Sequence, residues 1–163
     1  MKKISEWTGY KRMELLYRGT RDGTTSKAFH DKCDHKGPTI CLYKNEKGYI
    51  FGGYASISWT SDGGTREAPN SFIFTLTNVY GIEPTKFSNQ NNKSVNHNSG
   101  RGPCFCNYND ISVYEDFSSS ECAAYFPTDF KDSLGKGCSI FTGDFDNNKQ
   151  KFKMKEIEVF KIF

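Results

Sequence analysis

Lys151-Phe152-Lys153-Met154-Lys155-Glu156-Ile157-Glu158-Val159-Phe160-Lys161-Ile162 reads as a β-strand with a fault in it. Phe152 and Met154 alternate with lysines, which gives one apolar face at the two-residue period of a strand. At Lys155-Glu156 the phase slips by one. Ile157 and Val159 then hold the odd positions, while Phe160 and Ile162 are apolar on the even ones. One extra residue in an alternating strand is the mark of a β-bulge, and apolar residues of both parities beyond it predict a segment buried on both faces. Removing such a strand is expected to unfold the domain.

Working back along the chain, Ser71-Phe72-Ile73-Phe74-Thr75-Leu76-Thr77 is a second clear strand, with Phe72, Phe74 and Leu76 on one face. Thr39–Tyr43 and Tyr49–Phe51 flank the polar turn Asn45-Glu46-Lys47-Gly48, which predicts a hairpin. Gly52-Gly53 within its second strand marks a bulge or a close backbone approach. Met13–Arg18 reads as a short strand and Gly19–Gly23 as a turn, after which Thr24 or Thr25 caps a helix reaching about Cys33. Ile111, Val113 and Glu115 alternate as a further strand. The stretch from Ser88 to Gly100 holds five asparagines and little that is apolar, so it reads as a surface loop. Several strands, one firm helix and closely spaced turns predict an α+β fold: an antiparallel two-sheet β-sandwich flanked by a few short helices. Residues 1–12 read as an N-terminal extension and 13–163 as a single domain.

Composition fits that scheme. Fourteen Phe and nine Tyr among 163 residues can supply a core without metal or disulfide. The net charge of +3 comes from 22 basic and 19 acidic residues, a mixed balance that argues against a nucleic-acid binder. The basic run Lys149–Lys155 reads as the solvated face of a strand. No apolar run is long enough for a membrane helix, so no direct membrane insertion is expected. The first residues lack the apolar core of a signal peptide, which predicts a cytoplasmic protein with reduced thiols. In that compartment the acceptor pattern Asn92-Lys93-Ser94 carries no meaning.

Leu15-Leu16-Tyr17-Arg18-Gly19-Thr20-Arg21-Asp22-Gly23 resembles the opening signature of the TLDc family, the domain of the oxidation resistance proteins. Phe29-His30-Asp31-Lys32-Cys33, Lys36-Gly37-Pro38-Thr39, Phe51-Gly52-Gly53-Tyr54 with Trp59, Gly102-Pro103-Cys104-Phe105 and Ile157-Glu158-Val159-Phe160 are similar to its later segments, in the family's order. Two positions depart from the pattern: Cys106 stands where many members carry Gly, and Phe160 where many carry Trp. The resemblance implies a compact β-sandwich and an association with oxidative-stress resistance. It also implies binding and regulation of the vacuolar proton-pumping ATPase (V-ATPase), through its peripheral subunits, as the protein-binding role.

Chemistry candidates are few. His30, Cys33 and His35, with Cys104 and Cys106, contain ligand types for zinc but not the usual ligand spacing, and the resemblance implies that Cys33 packs its helix as a buried thiol. Asp144-Phe145-Asp146-Asn147-Asn148 opens like a calcium loop, yet Lys149 and Lys155 stand where Gly and a bidentate Glu are needed. Gly52-Gly53 and Gly63-Gly64 lack the Lys-Ser/Thr of a phosphate loop. His97 reads as solvated, Cys122 has no evident activating cation, and Cys41 sits inside an apolar strand. Arg21 is expected to pair with Glu158. No catalytic, cofactor-binding or metal-binding residues and no cofactor are assigned. The expected function is a non-catalytic protein-interaction domain. Its binding loops would be the Asn-rich stretch and the region from Ser118 to Gly135. The alternatives are a thiol-based antioxidant or other enzyme, and a structural subunit of a large assembly.

Overall fold

The structure, a computed structural model, describes residues 2–91, 93–106 and 110–163. The chain runs α1 (Lys2–Thr8), β1 (Met13–Arg18), α2 (Gly19–Asp22), α3 (Ser26–Cys33), β2 (Thr39–Asn45), β3 (Ile50–Ala55), β4 (Thr65–Glu67) and β5 (Phe72–Thr75). It continues through β6 (Thr85–Ser88), β7 (Lys93–Asn96), β8 (Cys104–Phe105), β9 (Cys122–Ala123), α4 (Ser139–Thr142), β10 (Lys151–Phe152) and β11 (Met154–Ile162). Its main sheet has six antiparallel strands in the order β1-β11-β2-β3-β5-β6. Smaller sheets, β4-β7-β8 and β9-β10, complete an α+β, sandwich-like fold.

The phase slip read from the sequence is a register shift in β11, where Met154 faces Asn45 and Glu156 already faces Lys44. Beyond it the strand is covered on both sides. Ile157 and Val159 enter the main core with Cys41, Tyr43, Phe51 and Ile73. Ile162 joins Ile40, Tyr54, Phe72 and Phe74 on the opposite face. That second face is roofed by α1, whose Ile4 is buried and whose Trp7 ring lies 5.9 Å from Phe72 and 5.6 Å from Phe74. A fully buried Phe or Ile stabilises by roughly 1.5–3 kcal/mol, so both faces of the sheet contribute.

The expected hairpin is β2-β3, closed by Asn45, whose side-chain carbonyl accepts from the Lys47 and Tyr49 N–H groups. The expected helix is α3, and Thr25 caps it by accepting from the Ala28 N–H. Gly52 and Gly53 mark close approach rather than a bulge, since the pairings of β3 on both sides run without a shift. A Cβ at Gly52 would lie 2.0 Å from the Cys41 carbonyl oxygen, and one at Gly53 2.4 Å from the Phe105 ring. Phe105 belongs to β8, so Gly53 is where the two layers of the sandwich close on each other. Trp59 fills the adjoining core. Its indole N–H donates to Thr39 Oγ1 at 2.8 Å, and its ring meets Phe29 and Phe105 edge-on.

Three local expectations are corrected. The Asn-rich stretch is not a plain surface loop. It carries β7, which pairs with β4 and β8 and buries Ser94 and Val95, and His97 just beyond the strand is buried as well. Ser94 Oγ donates to the Ala68 carbonyl, one of the distant contacts by which a polar composition hid a buried strand; Asn92 lies outside the described residues. Ile111 and Val113 are buried but belong to no continuous strand. Ile111 bridges Phe105, and Val113 accepts from the Gly102 N–H. Arg21 does not reach Glu158. Arg18 does, at 2.7 Å, because it sits directly opposite Glu158 in the β1-β11 register. Arg21 instead pairs with its neighbour Asp22 on the single helical turn α2.

Candidate functional site

The six cysteines are all free and buried. Burial pushes the Cys104 thiol up to about 11 and the Cys122 thiol up to about 12. The same desolvation raises Cys33, Cys41, Cys106 and Cys138 above the ordinary thiol range. A thiol that is buried and held protonated is a poor nucleophile and a slow target for oxidants. Cys33 and Cys41 are therefore packing residues, as expected.

The residues considered as zinc ligands do not converge. His30 is 7% exposed and uses both ring nitrogens. Its Nδ1 lies 2.8 Å from Asp34 Oδ1, and its Nε2 points at the carbonyl oxygens of Asn98 and Arg101. His35 is exposed, in the left-handed region at φ 60°, where its N–H donates to the Trp59 carbonyl. Cys104 donates to the Val113 carbonyl and accepts from the Val113 N–H.

Cys106 belongs to the one trio of ligand-type atoms that does converge among the described residues. It stands with Asp110 and Asp129, their atoms within 4.8 Å of one another. The Asp110 carboxylate already accepts from Thr128 N, Thr128 Oγ1 and Asp129 N, at 2.7, 2.5 and 2.9 Å. The Cys106 sulfur accepts from the Asp110 N–H. These donors make the trio a turn clamp. Cys106 itself has φ 79°, a conformation glycine adopts freely, which is the physical sense of the glycine expected at that position.

A second polar network joins α3 to the loop before β4. Ser61 Oγ donates to Asp34 Oδ2 at 2.5 Å, and Asp34 in turn meets His30. The order is hydroxyl, acid, imidazole. In a nucleophilic triad the imidazole must lie between hydroxyl and acid, so this arrangement cannot deprotonate Ser61 through His30. His97 is not solvated as its Asn-rich surroundings suggested; it is 1% exposed. Its Nδ1 accepts from the Thr60 N–H at 2.9 Å and lies 2.7 Å from Thr60 Oγ1. Desolvation, then the nearby Arg66 charge, lowers its pKa, so it works as a neutral hydrogen-bond acceptor.

The calcium-like loop is held by cations instead. Asp144 is gripped by Lys47 and by Lys149, the latter at 3.3 Å, and these contacts hold its carboxyl below the usual range. Gly63 and Gly64, at φ 86° and 75°, make the turn into β4.

Two surface hollows stand out among the described residues. One, of about 550 Å³, lies between α1 and the edge strand β6 and is lined by Trp7, Tyr10, Tyr54, Phe72, Lys86 and Asn89. The other, of about 390 Å³, lies over the outer sheet face at Leu42, Ile50 and Glu158. A smaller one of about 200 Å³ borders Ser118–Glu121, within one of the expected binding regions. Sequence reading missed the first hollow. Its walls come from α1, β3, β5 and β6, and the only available signal was the aromatic pair Trp7 and Tyr10 ahead of β1.

The comparisons fit this geometry. The family model described as TLDc domain matches residues 1–163. A zebrafish (Danio rerio) protein, MTOR-associated protein MEAK7, is 40% identical over 45 residues, 28% of this chain and 10% of that protein. The chain thus matches about a tenth of the length of that relative. With a model spanning the whole sequence and a sandwich assembled from the segments that carry its signatures, this chain belongs to the TLDc family.

Proposed function

We propose that this chain is a non-catalytic, cytoplasmic protein-interaction domain that contributes to oxidative-stress resistance by binding peripheral subunits of the vacuolar proton-pumping ATPase. The observation that carries the interaction reading is the hollow between α1 and β6, where Trp7 and Tyr10 stand beside Lys86, Ser88 and Asn89 over the buried Tyr54 and Phe72. Aromatic side chains beside a sheet edge are the surface type most enriched at protein interfaces. The pump as partner is supported by family membership alone, and the relative named an mTOR-associated protein is in keeping with a binding role for the fold. Burial of the thiols favours binding over the antioxidant reading, because oxidant chemistry needs an exposed thiolate.

The test is a pull-down from native lysate with the tagged chain, with recovered proteins identified by mass spectrometry. Recovery of peripheral pump subunits, reduced at least fivefold by Lys86→Glu in a variant of unchanged Tm, is the expected result. Recovery of another stable complex through the same hollow would keep the interaction role and remove the pump. Peroxide turnover by the purified chain, abolished by Cys→Ser variants, would replace the proposal with the thiol reading.

A further inference from the structure

Two large hydrophobic side chains are exposed among the described residues, Phe145 at 74% and Phe163 at 44%. Phe163 has a local explanation: Arg12 and Lys161 stack on its ring, and its backbone pairs with Arg12 beyond the end of β11. Phe145 has none of that cover. It sits in the loop after α4 with only the edge of Tyr80 beside it, ring centroids 5.5 Å apart at 83°.

The loop that presents Phe145 is tightly held. Gly143, at φ 75°, closes α4 by donating to the Ser139 carbonyl. Asp144 is clamped by Lys47 and Lys149. Asp146 accepts from the N–H groups of Asn148 and Lys149, through its side chain and its carbonyl respectively. The Cys138 thiol donates to the Asn147 carbonyl at 2.8 Å. Backbone and side-chain hydrogen bonds fix the loop, and Phe145 stands exposed on it beside exposed polar residues. A fold that pins a turn this firmly and leaves a Phe in water keeps it available for an apolar environment elsewhere.

Lysines lie on this loop and on the segments next to it. Lys136 Nζ lies 4.7 Å from the Tyr80 centroid, on the aromatic pair itself. Lys47 and Lys149 flank Asp144, and Lys151 and Lys153 follow as exposed lysines along the chain. Five lysines stand on these segments with Asp132, Asp144, Asp146 and Glu46, and Lys136, Lys151 and Lys153 are the ones not paired with Asp144. We propose that the loop Gly143–Lys149, with Phe145 exposed on it and lysines on it and on the segments next to it, is a contact site for an anionic lipid surface.

The chemistry favours lipid over a protein groove. Lysine is depleted from the cores of protein interfaces, where its desolvation is costly. An exposed Phe ring can enter the boundary between headgroups and acyl chains, and lysines on the neighbouring segments meet the negative potential of an anionic leaflet. Lysine stems tolerate this well, because the charged tip stays in the aqueous layer. The contact is superficial and reversible, with nothing crossing the bilayer.

Sedimentation of the purified chain with phosphatidylcholine vesicles, with and without phosphatidylserine, tests this. Binding to the phosphatidylserine vesicles alone, weakening as salt rises, is expected. Phe145→Ala should lower the bound fraction about tenfold, and Lys136→Glu about fivefold or more. Both should leave Tm unchanged, which separates lost binding from lost folding. No binding to phosphatidylserine vesicles, or binding indifferent to Phe145→Ala, overturns the proposal. So does capture of a protein partner through Phe145 by a chain that ignores vesicles. None of these outcomes bears on the proposed protein-interaction role, which rests on the hollow between α1 and β6.

Discussion

The ring of Phe105 stands where residue 53 would carry a side chain, since a Cβ built on Gly53 falls 2.4 Å from Phe105 Cε2. Both residues are fully or almost fully enclosed, with Phe105 at 0% exposure, so neither partner can swing aside into solvent. Gly53→Ala is therefore expected to destabilise the domain by about 1–3 kcal/mol through overpacking. Gly53→Ala combined with Phe105→Leu should cost less than the sum of the single changes. Urea unfolding midpoints of the four proteins in this cycle measure it, and additive losses would dissociate the two positions.

The pairing of Arg18 with Glu158 predicts a small effect. The Arg18 side chain is 45% exposed, so Arg18→Ala should lower stability by about 0–1 kcal/mol, with the loss shrinking in high salt. Arg21→Ala should lose less still, since Arg21 binds only its neighbour on an exposed turn. Melting curves at low and high salt distinguish the two.

The buried thiols predict chemical silence. With all six protonated and enclosed, the native chain should react with a disulfide reagent at neutral pH far more slowly than the same chain in denaturant. A fast-reacting thiol in the native protein would contradict the assignment of these residues to packing. Mass spectrometry of the labelled chain would name it.

His97 predicts a dependence on pH with a definite sign. Its folded pKa is depressed by burial, then by Arg66, so the folded state binds its proton less readily than the unfolded chain does. That contribution is fully present above the unfolded value of about 6.5 and is lost as pH falls through it toward the lower folded value. The urea midpoint should drop between about pH 7.5 and about pH 5.5. His97→Gln, which keeps a carbonyl acceptor but does not titrate, should flatten that drop.

Much of the sheet was legible because its signals are local. The slip at Lys155-Glu156, the alternation of Phe72 and Phe74, and the cap at Thr25 each need only a few neighbouring residues. β8 and β9, two residues each, carry no period to read. β7 was masked by asparagines, because the partners that satisfy it, such as Ala68 for Ser94 and Thr60 for His97, lie far away in sequence. The Arg18–Glu158 pair failed to declare itself for the same reason. Picking Arg18 over Arg21 requires the β1-β11 register, which depends on a shift in β1 between Leu15 and Tyr17. The aromatic hollow was out of reach until α1 had been placed on the sheet.

The position of β11 has a consequence for how this protein is made. The strand lies between β1 and β2, so the first and second strands of the chain touch the last one and not each other. While the protein is being translated, β1 and β2 emerge early, and each must wait with an open hydrogen-bonding edge for a partner that leaves the ribosome more than a hundred residues later. The nascent chain can form its β2-β3 hairpin, but the six-stranded sheet closes in one late step. Until then its Phe- and Tyr-rich faces lack their cover, and a chain interrupted before β11 is expected to remain unfolded.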